Sequence, residues 1–153
     1  FEIQSSVMIF SKTCEYGTRA VIYIAQQTKN DIRTSLKDIS EQIGSPEAFT
    51  AKILQQLVKH DILISSKGAA GGFAVDKKKL KRIKLMHIVF AIDGSEYRDM
   101  CVLGLKKCST KDPCPVHHKF KHVKKDLLSM LNNTTLDELT NKMNTGKSFL
   151  KLD

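Results

Sequence analysis

The chain contains no tryptophan and only three prolines and eight glycines among its 153 residues. That scarcity excludes a collagen-like or proline-rich low-complexity chain, and no internal repeat is present. Long apolar runs are missing too. Nothing approaches the ~18–20 residues needed to cross a bilayer, which excludes a membrane helix. The start, Phe1 to Val7, lacks the basic and apolar regions of a signal peptide. Met8 reads as a natural start, residues 1–7 as an upstream remnant, and the expected compartment is a reducing cytoplasm. Acid is scarce relative to base: 16 Asp and Glu face 25 Lys and Arg, a net charge of +9. An excess of that sign favours a polyanionic partner. With 41% hydrophobic and 27% charged residues, the composition is that of a globular protein and not a disordered one.

Cysteine is also rare, but three of the four, Cys101, Cys108 and Cys114, crowd into one short stretch. Gly104, Pro113 and Pro115 punctuate it, which predicts a loop. A loop can wrap three sulfurs around one point, and thiolates suit zinc or iron–sulfur centres. In a reducing compartment such a cluster reads as ligands or redox groups rather than disulfides. His117 would complete a Cys₃His zinc set. Cys14 stands alone in a helical pattern and reads as a core residue. A nucleophilic cysteine needs a base and an oxyanion site. His117 and His118 lie near Cys114, but nothing supplies the rest, so the chain does not read as an enzyme. His60, His87 and His122 read as surface or packing residues.

Helical periodicity runs from about Ser11, a cap, to Gln27 through Tyr16, Ala20, Tyr23 and Ile24. After a polar break at Thr28 to Arg33, Ser35 caps a short helix whose inner face is Leu36, Ile39 and Ile43, ended by Gly44. Ser45-Pro46 restarts the chain, Ser as cap and Pro as the first helical residue. This third helix reaches about His60 with Phe49, Ile53, Leu54 and Leu57 inward. Two short helices across a tight turn make a helix-turn-helix candidate. The strand-like Ile62 to Ser66, the glycine-rich Lys67 to Gly72 and the return Phe73 to Val75 follow as a hairpin. The glycine loop enters a strand, whereas nucleotide fingerprints enter a helix. A lysine run, Lys77 to Lys84, leaves the hairpin, then an apolar helix spans Leu85 to Ile92 and stops at Asp93-Gly94. Beyond the cysteines, Val116, Phe120, Val123, Leu127 and Met130 or Leu131 form a narrow seam fit to zip two helices together. Thr135 caps a last short helix with Leu136, Leu139 and Met143 on one face, and the tail from Thr145 is expected to fray.

These pieces together resemble the Rrf-two family of bacterial winged-helix transcription regulators, over Met8 to about Met143. The likeness rests on Phe10-Ser-Lys12, Tyr16, Arg19-Ala20, Asp38-Ile39, the stretch Phe49 to Leu57 with Lys52, and the wing Lys67 to Phe73. It continues through Ile88 to Gly94, Cys101…Cys108…Cys114-Pro115 and Thr134-Thr-Leu136. The resemblance implies a mainly α fold with a small β-hairpin wing: a winged helix-turn-helix plus a long dimerisation helix. The implied division is a DNA-binding domain at 8–84, a linker helix and cysteine sensor loop at 85–118, dimerisation helices at 119–144 and a tail at 145–153. The implied partners are double-stranded DNA with a near-palindromic operator and a second copy of the chain. The family includes cluster-bearing and cluster-free members. In the former, three loop cysteines hold a two-iron or four-iron cluster, and the fourth ligand varies. Here it would be His117 or Glu15, the latter reaching over from the second subunit. Zinc remains the alternative metal.

On DNA, the third helix is the expected reader, with its start at Ser45 offered to phosphate. Glu47, Ala48, Thr50, Ala51, Lys52 and Gln55 are expected to face outward. Thr50, Lys52 and Gln55 would be base or phosphate contacts. Ala48 and Ala51 would touch thymine methyls or permit close approach. At the wing, Lys67 with Gly68, Gly71 and Gly72 would flank the minor groove.

Overall fold

The computed structural model describes residues 9–105 and 108–151; the expected remnant at 1–7 and the last two residues of the tail lie outside them. Among these residues six α-helices and one hairpin follow in the order α1 (Lys12–Lys29), α2 (Leu36–Ile43), α3 (Glu47–Lys59), β1 (Ile64–Ser66), β2 (Gly72–Ala74), α4 (Leu85–Asp93), α5 (His117–Asn133) and α6 (Leu136–Asn144). This is the mainly α architecture with a small hairpin that the sequence predicts.

Short polar side chains fix three of the helix starts. The Cys14 N–H donates to Ser11 Oγ at 3.0 Å, the Asp38 N–H to Ser35 Oγ at 3.1 Å, and the Glu138 N–H to Thr135 Oγ1 at 3.2 Å. Each bond satisfies an N–H that the helix start leaves without a partner, worth ~1 kcal/mol. α2 ends at Gly44, whose φ of +67° is left-handed and suits glycine. α3 departs from expectation: Pro46 is its cap, and no side chain caps the N–H groups of its first turn. Ser45, the expected cap, is buried, and its hydroxyl has no partner among the described residues.

Two apolar clusters hold the chain together. The larger gathers Ile24, Ile39, Ile53, Leu54 and Leu57 with Ile88 and Leu136. α6 therefore closes the core of the first three helices, tied by a Lys29–Asp137 ion pair of 2.9 Å. Leu136 of α6, a helix that the expected division at 119–144 groups with α5, thus packs within its own chain. The tail is also better anchored than expected, because Leu150 packs on the same cluster. The smaller cluster joins Cys14, Met86, Val89, Tyr97 and Leu131. Where α1 meets α4, a Cβ on Gly17 would collide with the Ile92 side chain and stand 3.2 Å from Ile53 Cγ2. Glycine inside a helix costs ~0.5–1 kcal/mol, and here it lets two helices approach closely.

The hairpin is antiparallel, with Ile64 opposite Ala74, Ser65 opposite Phe73 and Ser66 opposite Gly72. Thr34 widens it: its N–H donates to the Phe73 carbonyl at 3.0 Å, and its carbonyl accepts from the Phe73 N–H at 2.8 Å. A short 3-10 turn, Ser95–Asp99, leads from α4 toward the cysteine loop. Its Tyr97 hydroxyl donates to the Ile9 carbonyl at 2.9 Å, and the Ser11 hydroxyl donates to the Asp93 carboxylate. The start of α1 is thus bound to the chain that enters the loop. α5 is the outlier: of its 17 residues only His117 and Leu131 are buried. Val123 on its seam is 59% exposed and Met130 46%.

Candidate functional site

α3 buries Thr50, Ile53, Leu54 and Leu57. Those positions share one face at helical spacing. Thr50 is consequently a core residue, fully buried, with its hydroxyl donating to the Pro46 carbonyl at 2.9 Å. This corrects the expectation that it points outward. Its place three residues before Ile53 decides its direction, and the back-bond inside the helix satisfies its hydroxyl. Phe49 moves the other way. Expected inward, it lies at the edge of the buried face, 38% exposed, with its ring edge-on to Tyr16 at 5.9 Å. Glu47, Ala48, Lys52 and Gln55 are exposed as expected, and Ala51 is half-buried.

At the hairpin tip Lys67 and Gly68 are exposed, while Gly71 and Gly72 are half-buried. A Cβ on Gly71 would meet the Ser66 carbonyl, and one on Gly72 would stand 2.7 Å from the Thr34 carbonyl oxygen. Gly72 also has a φ of +129°, so both glycines are demanded by the return of the chain itself. Of the lysine run, Lys77 pairs with Asp31, so its charge is already answered within the chain.

Two cations near these elements escape a reading of the sequence. The Arg33 guanidinium donates to Ser66 Oγ at 2.8 Å, which sets it beside the wing. Only the non-local pairing of Thr34 with Phe73 brings it there, so no local pattern announces it. Arg19 lies 4.8 Å over the Tyr16 ring, next to Phe49 of α3. The i,i+3 spacing of Tyr16 and Arg19 is a usable signal of that contact.

The cysteine loop brings its donors together as two pairs. Cys101 Sγ is 3.9 Å from Cys114 Sγ, and Cys108 Sγ is 3.3 Å from His117 Nδ1. Among the described residues no three His, Cys, Asp or Glu side chains converge on one metal position. All three thiols are half-buried, and His117 is buried at the first position of α5. Its Nε2 is buried without a partner among the described residues. The Leu103 backbone N–H holds the Cys101 thiol below its usual pKa, against the upward push of desolvation. The Leu105 N–H, Cys114 and the Lys124 ammonium add to the lowering. Three soft sulfurs and one imidazole with an unpaired buried nitrogen are a chemically suitable donor set for zinc or an iron–sulfur centre.

Glu15 stands in the first turn of α1 and pairs with Lys12 at 3.3 Å, so the structure does not join it to the thiols of its own chain. Cys14 is fully buried, its thiol pushed up to about 12 by burial first and by the Asp93 carboxylate second. A thiol so held is inert, in keeping with its reading as core.

A tight two-helix unit followed by a glycine-tipped hairpin defines a winged helix-turn-helix regulator that binds DNA. The chain belongs to the Rrf2 family, whose model, described as an iron-dependent transcriptional regulator, matches residues 10–142. A protein of Aquifex aeolicus (strain VF5) named for an HTH-type transcriptional regulator is 32% identical over 136 residues, covering 88% of this chain and 92% of its own. The HTH-type transcriptional regulator IscR of Pectobacterium atrosepticum is 28% identical over 126 residues, 82% of this chain and 75% of that protein. Among solved structures, CymR, the global cysteine regulator of B. subtilis, superposes with a TM-score of 0.71 at 19% identity, covering 86% of this chain and 95% of CymR. IscR of T. potens superposes with a TM-score of 0.68 at 22% identity, covering 91% and 90%. The chain is accordingly a transcription regulator and not an enzyme. No helix among the described residues is long and apolar enough to cross a membrane.

Proposed function

We propose that the protein acts as a homodimer on a near-palindromic operator, with its affinity set by an iron–sulfur cluster on Cys101, Cys108, Cys114 and His117. One juxtaposition carries this reading: three half-buried thiols and a histidine with a buried, unpaired nitrogen sit where α4 hands over to the exposed seam of α5. His117 is favoured as fourth ligand because it already lies against Cys108. Glu15 from a second copy is the competing ligand. A bound cluster would supply a centre sensitive to redox state, iron supply or nitric oxide.

The chain's own residues do the reading. The N-terminus of α3 directs N–H groups and a positive dipole toward phosphate. Lys52 and Gln55 reach for base edges or phosphate, Glu47 is suited to accept from a cytosine amino group, and Ala48 allows close approach. Lys67, with Gly68 beneath it, flanks the minor groove, and Arg33 adds a second cation beside the wing. Phosphate contacts set affinity and register without sequence information, so Lys67→Ala weakens binding to every sequence alike. Two readers related by a dyad require half-sites about one helical turn apart. The loop joins the core that holds α3 to the seam of α5, so two loop conformations correspond to two spacings of the readers. A ligand on the thiols shifts that balance only through different affinities for the two.

The experiment is anaerobic purification with visible spectroscopy and iron and sulfide analysis, followed by selection of genomic DNA with and without the metal. A brown protein with stoichiometric iron and sulfide is expected, and it should select one family of near-palindromes. Colourless protein with stoichiometric zinc replaces the cluster by a Cys₃His zinc site. Equal retention of all DNA removes the sequence-specific reading.

A further inference from the structure

A cavity of about 460 Å³ opens between the end of α3, the segment after the wing and α4. Its volume lies within the ~300–1,000 Å³ typical of small-molecule sites. Its floor is apolar, formed by Ile62, Ile83, Phe90 and Ala91. Its rim carries Lys79, Arg82 and two imidazoles, His60 and His87, against a single acid, Asp61.

The rim groups are partly prearranged. The Lys84 N–H donates to His87 Nδ1 at 3.0 Å. Burial first and the Lys84 cation second lower the His87 pKa, which favours the neutral ring. With Nδ1 accepting, the proton of that neutral ring resides on Nε2, a donor for an incoming oxygen. His60 bonds through Nδ1 to the Gln56 carbonyl at 2.9 Å, which makes Nδ1 the donor there. Among the described residues Lys79 Nζ reaches only the Asp61 carbonyl, at 3.5 Å. The Arg82 side chain makes no hydrogen bond or ion pair among the described residues.

An apolar floor with two cations and an imidazole donor on its rim is complementary to one chemical class. We propose that the cavity binds a small amphipathic organic carboxylate, with its apolar body on Phe90 and Ile83 and its carboxylate at Arg82 and Lys79, and that occupancy changes DNA affinity. The site is distinct from the cysteine loop and needs no metal. Its three walls belong to the elements whose mutual pose aims the reader. Gln56 of α3 donates to the Ala91 carbonyl of α4 at 2.7 Å beside the floor, so a wedge there acts on the junction of both helices. Only the second half of the proposal rests on the DNA-binding reading.

Calorimetry on the full-length protein, with 3-phenylpropionate as probe and its alcohol 3-phenylpropanol as the uncharged control, separates the two halves. Saturable binding of the acid at one site per chain is expected, with the alcohol and the Arg82→Gln variant each weaker by about tenfold, the size of one charge-assisted hydrogen bond. No saturation in the millimolar range, equal affinity for acid and alcohol, or an unaffected Arg82→Gln overturns the site. If Arg82→Gln leaves acid binding intact and weakens binding to all DNA sequences, the guanidinium serves phosphate instead, which also overturns it. A shift assay on selected DNA tests the coupling. Acid that binds without moving DNA affinity in wild type overturns the effector role, while failure of wild type to bind DNA at all strikes the regulator reading and leaves the calorimetric result standing.

Discussion

α3 and α5 are both amphipathic, of 13 and 17 residues, and they spend their apolar faces differently. α3 buries Ile53, Leu54 and Leu57 within its own chain, so its pose is fixed by a packed interior. α5 leaves Val123 and Met130 in solvent and touches the rest of the chain mainly through Leu127, Leu128 and Leu131. A helix proposed to read DNA must be rigid to hold its register there. A seam left open in one chain is available to a second. The contrast teaches that amphipathic spacing alone says a face will be covered, not by whom.

The largest break in that comparison comes from Leu57→Ala. Truncating a fully buried leucine should cost ~2–5 kcal/mol, read by chemical denaturation, and a loss below ~1 kcal/mol would contradict the core assigned to α3. Val123→Asp attacks the other helix: helix content should be unchanged, while sedimentation should show a monomer. A variant that still sediments as a dimer removes α5 from the interface. Within α3 itself, two neighbours should part ways. Gln55→Ala should alter base preference by ~1–3 kcal/mol at one operator position, whereas Thr50→Val should change stability and leave preference untouched. Altered preference in Thr50→Val would return that residue to the DNA face.

The smallest effect concerns the ion pair that locks α6 under α1. The hydrogen bond from Lys29 is the chief cause holding the Asp137 carboxyl below the usual carboxylate range. A depressed folded pKa means the stabilisation is complete above the unfolded value of ~3.9 and is lost as pH falls through the folded one. Asp137→Asn should therefore flatten the acid limb of the stability profile below about pH 4, and an unchanged limb would leave the pair without energetic weight.

Features written in consecutive residues are legible in the chain alone. Ser11, Ser35 and Thr135 announce helix starts because a cap acts over three residues. Gly44 and the wing glycines mark turns whose backbone requires them. The crowding of Cys101, Cys108 and Cys114 is equally plain, although their resolution into a thiol pair and a thiol–imidazole pair is not. What escapes depends on distant partners. Local spacing puts Thr50 on the wrong face because a bulky Phe49 draws the apolar arc toward itself, while Tyr16 of another helix is what covers that ring. The docking of α6 on α1 is equally non-local, since Lys29, 108 residues away, bonds to the Asp137 carbonyl. Arg33 beside the wing and the basic rim above Phe90 are likewise products of chain crossings that no local window contains.

α4 belongs to both interiors at once. Ile88 and Ala91 lie in the larger cluster, Met86 and Val89 in the smaller, and Leu85 and Ile92 touch both. Gly17 lets α1 settle directly onto this helix where the two interiors meet. A helix shared in this way is expected to couple the opening of the end that holds α3 to the opening of the end that holds the thiols, so that a change at the loop alters the cooperativity of the whole molecule.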